Sequence, residues 1–314
     1  MRASALFVVL FAACGGGGAA GWKQAAVVPA GAGSNAISLL VDQDTVLVAT
    51  SAGIARTTDD GATWTDSSAG LPLASGRPVQ VEALIASGAV LLAGTDDGTF
   101  SSSDCGASWT RVGAGLPDTV SPYAFWNVDG TTTLVGMNAG TATGGVFRSG
   151  DHGATWAASS TGLSASAGAS SFAQLGQTVF AAAGGRRARR ADDGLSWQSA
   201  MTTSNALWLQ THDSKLYVAT ASTGVFQSAD GVTFTAKSQG LPAGDIVSSL
   251  LASGGALYAG TDKNGVFKSA DGGGSWAPLS EGFPTPAPRV VAFAVHGKKL
   301  IAATELGGVW TRDL

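Results

Sequence analysis

The sequence predicts an all-β protein: a seven-bladed β-propeller of four-stranded blades, whose last blade is closed by the N-terminal strand. Two observations predict this fold. A short pattern ending in an aromatic residue recurs six times, at spacings of 37 to 47 residues, which is the length of one four-stranded blade. Between the copies, the chain consists of short apolar or β-branched runs bounded by Gly, Asp and Pro, as strands and tight turns require.

The repeated pattern has the form Ser/Thr-x-Asp-x-Gly-x-Thr/Ser-Trp. Its most regular copies are residues 57–64, 149–156 and 269–276. Less regular copies stand at 102–109, 190–197 and 228–234, and the last of these is one residue shorter and ends in Phe. The Asp residues of the six copies are Asp59, Asp104, Asp151, Asp192, Asp230 and Asp271. We interpret all six as structural, because a short Asp side chain accepts backbone N–H bonds within its own turn.

The last blade needs a strand from the other end of the chain. After Trp276, three more strands are predicted, within 289–295, 300–304 and 308–312, and no further copy of the pattern follows. A fourth strand is predicted at 21–25, because Trp22 stands 42 residues before Trp64, which is one repeat period. This closure covers the sheet edges that would otherwise invite pairing with other chains.

The repeated pattern resembles the Asp-box of BNR, sialidase-like and sortilin-like repeat propellers. The chain is also similar to photosystem II assembly factor-type propellers, which act as scaffolds. The resemblance implies that the boxes lie away from any active centre. It does not extend to sialidase catalysis, because the Arg-Ile-Pro motif is missing and the three Arg, the Tyr–Glu pair and the acid/base Asp of that family are not recognisable.

The N-terminal residues indicate export. Residues 1–13 are predicted to be a lipoprotein-type signal peptide, with a positive Arg2 and an apolar core that is too short to span a bilayer. Residues 11–14 resemble a bacterial lipobox, which implies cleavage before Cys14 and a lipid on its sulfur. Residues 14–21 form a Gly-rich tether, and 22–314 form the single propeller domain. We therefore expect a cell-envelope protein that meets the membrane only through its lipid; the alternative is a soluble periplasmic or secreted protein.

Composition excludes several classes of function. The chain has 314 residues, of which 13% are charged, and a formal net charge of −4, which argues against general nucleic-acid binding. The three His are scattered without metal-ligand spacing, and no phosphate-binding loop is present. We expect no metal, no cofactor and a monomer.

The candidate binding residues lie on the face opposite the repeated turns. There, the entries into the inner strands and the turns from second to third strands meet the central channel. Aligning the blades also places two Trp in one column of otherwise small residues, where they would stack on a ligand. The candidate residues are Glu82, Tyr123, Trp126, Trp208, Asp262, Arg289 and Glu305. The alternatives are solvated turn residues and packing between blades.

The fourth blade contains a basic strand. Alignment places Arg187 where other blades have a buried Val, so that the strand is either a basic patch for an acidic partner or a frayed, solvated strand. The patch would comprise Arg186, Arg187, Arg189 and Arg190.

These observations favour a binding or scaffold module for a protein or glycan over an enzyme. The alternative is a glycoside hydrolase of sialidase-like fold that uses Glu82, Asp262 or Glu305, because glycoside hydrolysis needs two carboxyls at a set separation.

Overall fold

The computed structural model describes residues 21–25, 35–58, 64–117, 121–137, 145–163, 167–183, 187–191, 196–200, 205–305 and 308–314. The predicted signal peptide, Cys14, Asp59, Arg186 and Asp192 lie outside these residues. For 187–191, only the backbone is described. Within the described part of the chain, no helix is long and apolar enough to cross a membrane.

All named elements in these ranges are strands, and β1 (Lys23–Gln24) comes first. The first sheet of consecutive strands comprises β2 (Ala36–Asp42), β3 (Thr45–Thr50), β4 (Gly53–Thr57) and β5 (Thr65–Asp66). A two-stranded hairpin follows, made of β6 (Leu73–Ala74) and β7 (Arg77–Pro78). The second sheet comprises β8 (Val81–Ser87), β9 (Val90–Thr95), β10 (Gly98–Ser102) and β11 (Thr110–Val112). The third comprises β12 (Pro122–Asn127), β13 (Thr133–Met137), β14 (Val146–Ser149) and β15 (Ala157–Ala158).

The second half of the chain continues this order. The fourth sheet comprises β16 (Ala169–Leu175), β17 (Thr178–Ala183), β18 (Arg187–Ala191) and β19 (Gln198–Ser199). The fifth comprises β20 (Ala206–His212), β21 (Lys215–Thr220), β22 (Val225–Ser228) and β23 (Thr235–Ala236). The sixth comprises β24 (Val247–Ser253), β25 (Ala256–Thr261), β26 (Val266–Ser269) and β27 (Ala277–Pro278). The last strands are β28 (Val290–His296), β29 (Lys299–Thr304) and β30 (Gly308–Asp313).

Both ends of the chain form the sheet that completes the ring. β1 pairs with β30, with Lys23 opposite Thr311 and Gln24 opposite Trp310, so that its strand is shorter than the predicted 21–25. The predicted count of seven blades is therefore corrected to six complete blades, each of four consecutive strands, and one composite sheet of β1 and β28–β30. The innermost strands contact one another in chain order, and β28 contacts both β24 and β2. The sheets therefore surround a common axis.

Apolar side chains fill the space between neighbouring sheets. Leu47 and Ile54 of the first sheet pack with Leu84 and Phe100 of the second, and similar clusters recur around the ring. Burial of this apolar surface, at about 25 cal/mol per Å², is the main term that holds the sheets together.

The repeated pattern forms the turn from the third to the fourth strand of a sheet, which we call the box turn. In the box turn of the third sheet, Asp151 accepts hydrogen bonds from Ser149 Oγ at 2.8 Å, from Thr155 N at 2.8 Å and from Thr155 Oγ1 at 2.5 Å. The box turns of Asp104, Asp230 and Asp271 contain equivalent bonds. These carboxylates are therefore engaged by their own turns.

Four of the described Trp residues each join their own sheet to the preceding one, and we call them the latch tryptophans. Trp109 N donates to Ala69 O at 2.8 Å, and its Nε1 donates to Ser67 O at 2.7 Å. Gly70 adopts φ of +88°, and a Cβ there would stand 2.0 Å from Trp109 O, so that the Gly-Leu-Pro turn needs its Gly. The four residues are Trp22, Trp109, Trp197 and Trp276, each of which makes this pair of bonds.

Each inner strand has a bulge near its start. In the second sheet, Val81 is opposite Thr95 and Ala83 is opposite Gly94, so that Glu82 is the additional residue. The pairing shifts at the corresponding place in every other inner strand. A bulge interrupts the alternation of side chains and redirects the residue at that place. Tyr123 and Ser248 occupy this position in the third and sixth sheets.

The strand pairing corrects the alignment of the two tryptophans. Trp208 is opposite Ala219 directly after its bulge, whereas in the third sheet Ala124 takes that place, opposite Gly136. Trp126 lies two residues further along, so the prediction that the two Trp share one column is wrong. Because every inner strand has this bulge, the difference lies in the connection to the second strand: Asn127 is opposite Thr133, whereas His212 is opposite Lys215, so the third sheet has the longer connection.

The pairing also corrects the alignment of the basic strand. Ala188 is opposite Ala182 as Val225 is opposite Ala219, so Ala188, not Arg187, takes the Val position. The assignment of Arg187 to a buried column is therefore wrong by one residue. The basic patch of Arg187, Arg189 and Arg190 stays a prediction, because the structure describes only the backbone of these residues.

Candidate binding site at the channel mouth

A cavity of 270 Å³ lies on the axis, and every inner strand contributes to its lining. Its residues come mostly from the starts of these strands, at or next to the bulges. Because a first and a third strand of one sheet run in the same direction, the starts of the inner strands lie on the face opposite the box turns. Five of the seven predicted residues line this cavity: Glu82, Tyr123, Trp126, Trp208 and Arg289.

The other two predicted residues are bound to Arg289. Its Nε lies 2.9 Å from Asp262 Oδ1, and its Nη1 donates to Glu305 Oε2 at 2.9 Å. The exposed fractions of the three side chains are 20%, 24% and 35%, so the cluster is only partly hydrated. Arg289 thus ties the sixth sheet to the composite sheet at the mouth of the cavity, and all seven predicted residues belong to one region.

Glu82 places a carboxylate in the cavity wall. The residue is only 6% exposed, and Gln80 Nε2 donates to its Oε1 at 2.6 Å. A buried charge needs such a partner to offset the loss of water. Sequence reasoning missed Gln80, although its position two residues before Glu82 on the same strand entry was the available signal.

Trp208 of the fifth sheet contacts residues of two other sheets. It packs against the cluster of Val291 and Ala292 and also against the cluster of Val247 and Leu250. Trp208 therefore takes part in packing between sheets and also lies in the cavity lining, and its contact with a ligand stays a prediction.

Trp126 combines core packing with a place in the cavity lining. It packs against the cluster of Leu134 and Phe172. Its Nε1 is buried and has no hydrogen-bond partner among the described residues. This differs from Trp109, whose Nε1 bonds the preceding sheet.

The carboxylates of this region differ in what they contact. A glycoside hydrolase needs two carboxyls on opposite sides of the scissile bond, one of which delivers a proton. Here Asp262 and Glu305 both contact one guanidinium, which leaves Glu82 as the carboxylate of the cavity wall. Among the described residues, no group of three or more His, Cys, Asp or Glu side chains is placed to hold a metal ion.

Neither a protein-family model nor a curated protein sequence matches the chain. Solved structures do match. YCF48 bound to D1 peptide has a TM-score of 0.70 at 14% identity, over 98% of each chain. YCF48 from Cyanidioschyzon merolae has a TM-score of 0.67 at 15% identity, over 94% of this chain and 98% of that one.

Two larger proteins contain a similar domain. The extracellular domain of BT4673 from B. thetaiotaomicron has a TM-score of 0.70 at 14% identity, over 91% of this chain and 39% of that one. An ancestral GH74 enzyme has a TM-score of 0.68 at 15% identity, over 94% of this chain and 48% of that one. At these identities the likeness shows the fold alone: the chain is a β-propeller, similar in architecture to YCF48, to an extracellular bacterial domain and to a GH74 enzyme.

Proposed function

We propose that this protein is an exported, lipid-anchored binding module that holds a protein or glycan ligand at its axial cavity. One observation carries the proposal. Residues from separate sheets, whose types differ from sheet to sheet, meet at one concave place: Glu82, Tyr123, Trp126, Trp208 and the Arg289 cluster. Binding sites in folded proteins are concave, largely apolar and provided with a few convergent polar groups.

The structural neighbours support binding as the activity. YCF48 is seen with a D1 peptide, and the neighbours from B. thetaiotaomicron are extracellular domains. Because one neighbour is a GH74 enzyme, glycoside hydrolysis is the alternative activity. The engagement of Asp262 and Glu305 with Arg289 argues against it.

A ligand screen tests this proposal. The soluble chain that starts at Gly15 would be applied to glycan and peptide arrays and mixed with chromogenic glycosides. We expect binding without turnover, weakened at least about tenfold by Trp208→Leu and unchanged by Glu281→Gln, since Glu281 is exposed and does not line the cavity. Turnover abolished by Glu82→Gln would instead make the protein a glycosidase.

The lipid anchor rests on residues 11–14 and has its own test. Cys14→Ser would release the protein from the membrane fraction, because the lipid has no other proposed attachment. Retention of the variant in washed membranes would contradict the anchor and leave the binding proposal untouched.

A further inference from the structure

The size of the cavity limits what enters it. Pockets for drug-sized ligands have volumes of about 300–1,000 Å³. At 270 Å³, this cavity admits one side chain or one sugar ring, not an extended chain.

The cavity and its mouth are electronegative. Asp96, Asp262 and Glu305 occupy the same position in three sheets, where the backbone N–H donates to the carbonyl of the residue directly before the inner strand. Arg289 offsets only part of their charge and that of Glu82. The exposed Lys263 in the turn after Asp262 still leaves an excess of carboxylates. A concave site with low-dielectric walls focuses such a field and raises the local concentration of cations.

Aromatic rings line the same cavity. Tyr123, Trp126 and Trp208 stand in its wall together with Glu82. The negative face of an aromatic ring attracts a cation, most strongly when the site excludes water. The combination of a carboxylate with aromatic walls therefore suits an ammonium or guanidinium group better than a neutral or anionic one.

A second surface lies beside the mouth. The hairpin of β6 and β7 connects the first sheet to Gln80 and Glu82, so it lies on the cavity face. Leu73 in this hairpin is 68% exposed. A polypeptide that crosses the face has this short ribbon to lie against, whereas a small free cation would not use it.

We propose that the cavity takes a single lysine or arginine side chain of a partner polypeptide. The cationic head lies at Glu82, the stem packs along the Trp rings, and the main chain crosses the mouth beside the hairpin. This inference rests on the proposed function and specifies its ligand class.

Short peptides test the charge preference. The probes are acetylated, amidated pentapeptides with Lys, Arg, norleucine or Glu between Gly pairs, titrated against the soluble chain by NMR. We expect Lys and Arg peptides to bind at least about tenfold more tightly than the norleucine peptide, and the Glu peptide not to bind. Equal or tighter binding of the norleucine or Glu peptide would overturn the inference, as would the absence of binding by all four.

Matched variants locate the effect. Glu82→Gln keeps the shape of the side chain and should weaken the Lys peptide at least about tenfold, whereas Glu281→Gln should not change it. If Glu82→Gln does not fold, increasing NaCl with the wild-type chain replaces it: the Lys peptide must weaken and the norleucine peptide must not. A glycan that binds in a Trp208-dependent way while Lys peptides fail would reject this inference and keep the proposed function.

Discussion

The rim and the axis of this propeller are built from the same repeat, yet their polar and aromatic side chains differ in where their hydrogen-bond and ion-pair partners lie. At the rim, Asp151 is satisfied by its own turn, and Trp109 gives both N–H groups to the preceding sheet. At the axis, Arg289 pairs across two sheets, and the buried Nε1 of Trp126 has no partner among the described residues. Residues that repeat from sheet to sheet bond within their own turn or to the neighbouring sheet, whereas the residues that differ from sheet to sheet lie around a shared space.

The largest expected effect on the free energy of unfolding comes from the ion pairs of Arg289, compared with the ion pair of Arg111. Arg289→Met leaves Asp262 and Glu305 facing each other in a partly hydrated cluster, and we expect a loss of about 1–3 kcal/mol in the free energy of unfolding, reduced from the fully buried case by solvent. Arg111→Met breaks the half-exposed pair with Asp97 at 3.1 Å and should cost at most about 1 kcal/mol. Urea denaturation measures both, and equal losses would contradict the contrast between rim and axis.

Two Trp→Phe variants should differ by an intermediate amount in the free energy of unfolding. Trp109→Phe and Trp126→Phe remove the same atoms, but only the first breaks a bond, to Ser67 O at 2.7 Å. We expect Trp109→Phe to cost about 1–2 kcal/mol more, because it leaves a buried carbonyl without its donor. Thermal and urea unfolding of the two variants gives this difference. A larger loss for Trp126→Phe would show that its indole N–H has a partner.

The smallest effect is a dependence on acid at the rim. Hydrogen bonds within the box turns lower the pKa of Asp104, Asp230 and Asp271 from 3.8 to about 2. The largest contribution comes from Ser108 for Asp104, from Thr233 for Asp230 and from Ser275 for Asp271. Between these values the unfolded chain binds more protons than the folded one, so stability should fall as the pH falls from about 4 through about 2. Their stabilising contribution is fully present above about pH 4.

A triple variant isolates this effect. Asp104→Asn, Asp230→Asn and Asp271→Asn together should flatten the decline of the urea midpoint between pH 4 and 2. The channel variant Asp262→Asn is the matched comparison, because its carboxylate is held by Arg289 and not by a turn. A triple variant with an unchanged acid slope would show that the box turns contribute nothing to it.

Local signals made the β-propeller class readable from the sequence, although the predicted count of seven complete blades was wrong. The box turns, the strand runs and the partner role of Trp22 follow from short-range patterns, and the pairing of β1 with β30 agrees with the period. The sequence also predicts which residues lie at the channel mouth, because entries into inner strands must approach the axis; their role in binding stays a prediction. Their pairing was not predicted: Asp262 and Arg289 are far apart in the chain, and only the ring brings their sheets together.

Register set the limit of sequence reasoning. The connection between the first two strands is longer in the third sheet than in the fifth, and Trp126 is displaced by two positions in the alignment. A one-residue shift misassigns Arg187. The hairpin of β6 and β7 was missed for a related reason. Leu73–Ala74 and Arg77–Pro78 are too short to show any periodicity.

The composite sheet also has a mechanical consequence. Trp22 and β1 are the first described contacts that the chain makes with the disc: two paired residues, the latch bonds to Glu281 O and Leu279 O, and a ring stacked on Phe283 at 5.0 Å. A pulling force applied through the N-terminal segment would therefore load this seam before any complete blade. The pairing of β1 with β30 and the bonds of Trp22 would therefore resist the tension first. The cavity on the axis would stay unstrained until these contacts break.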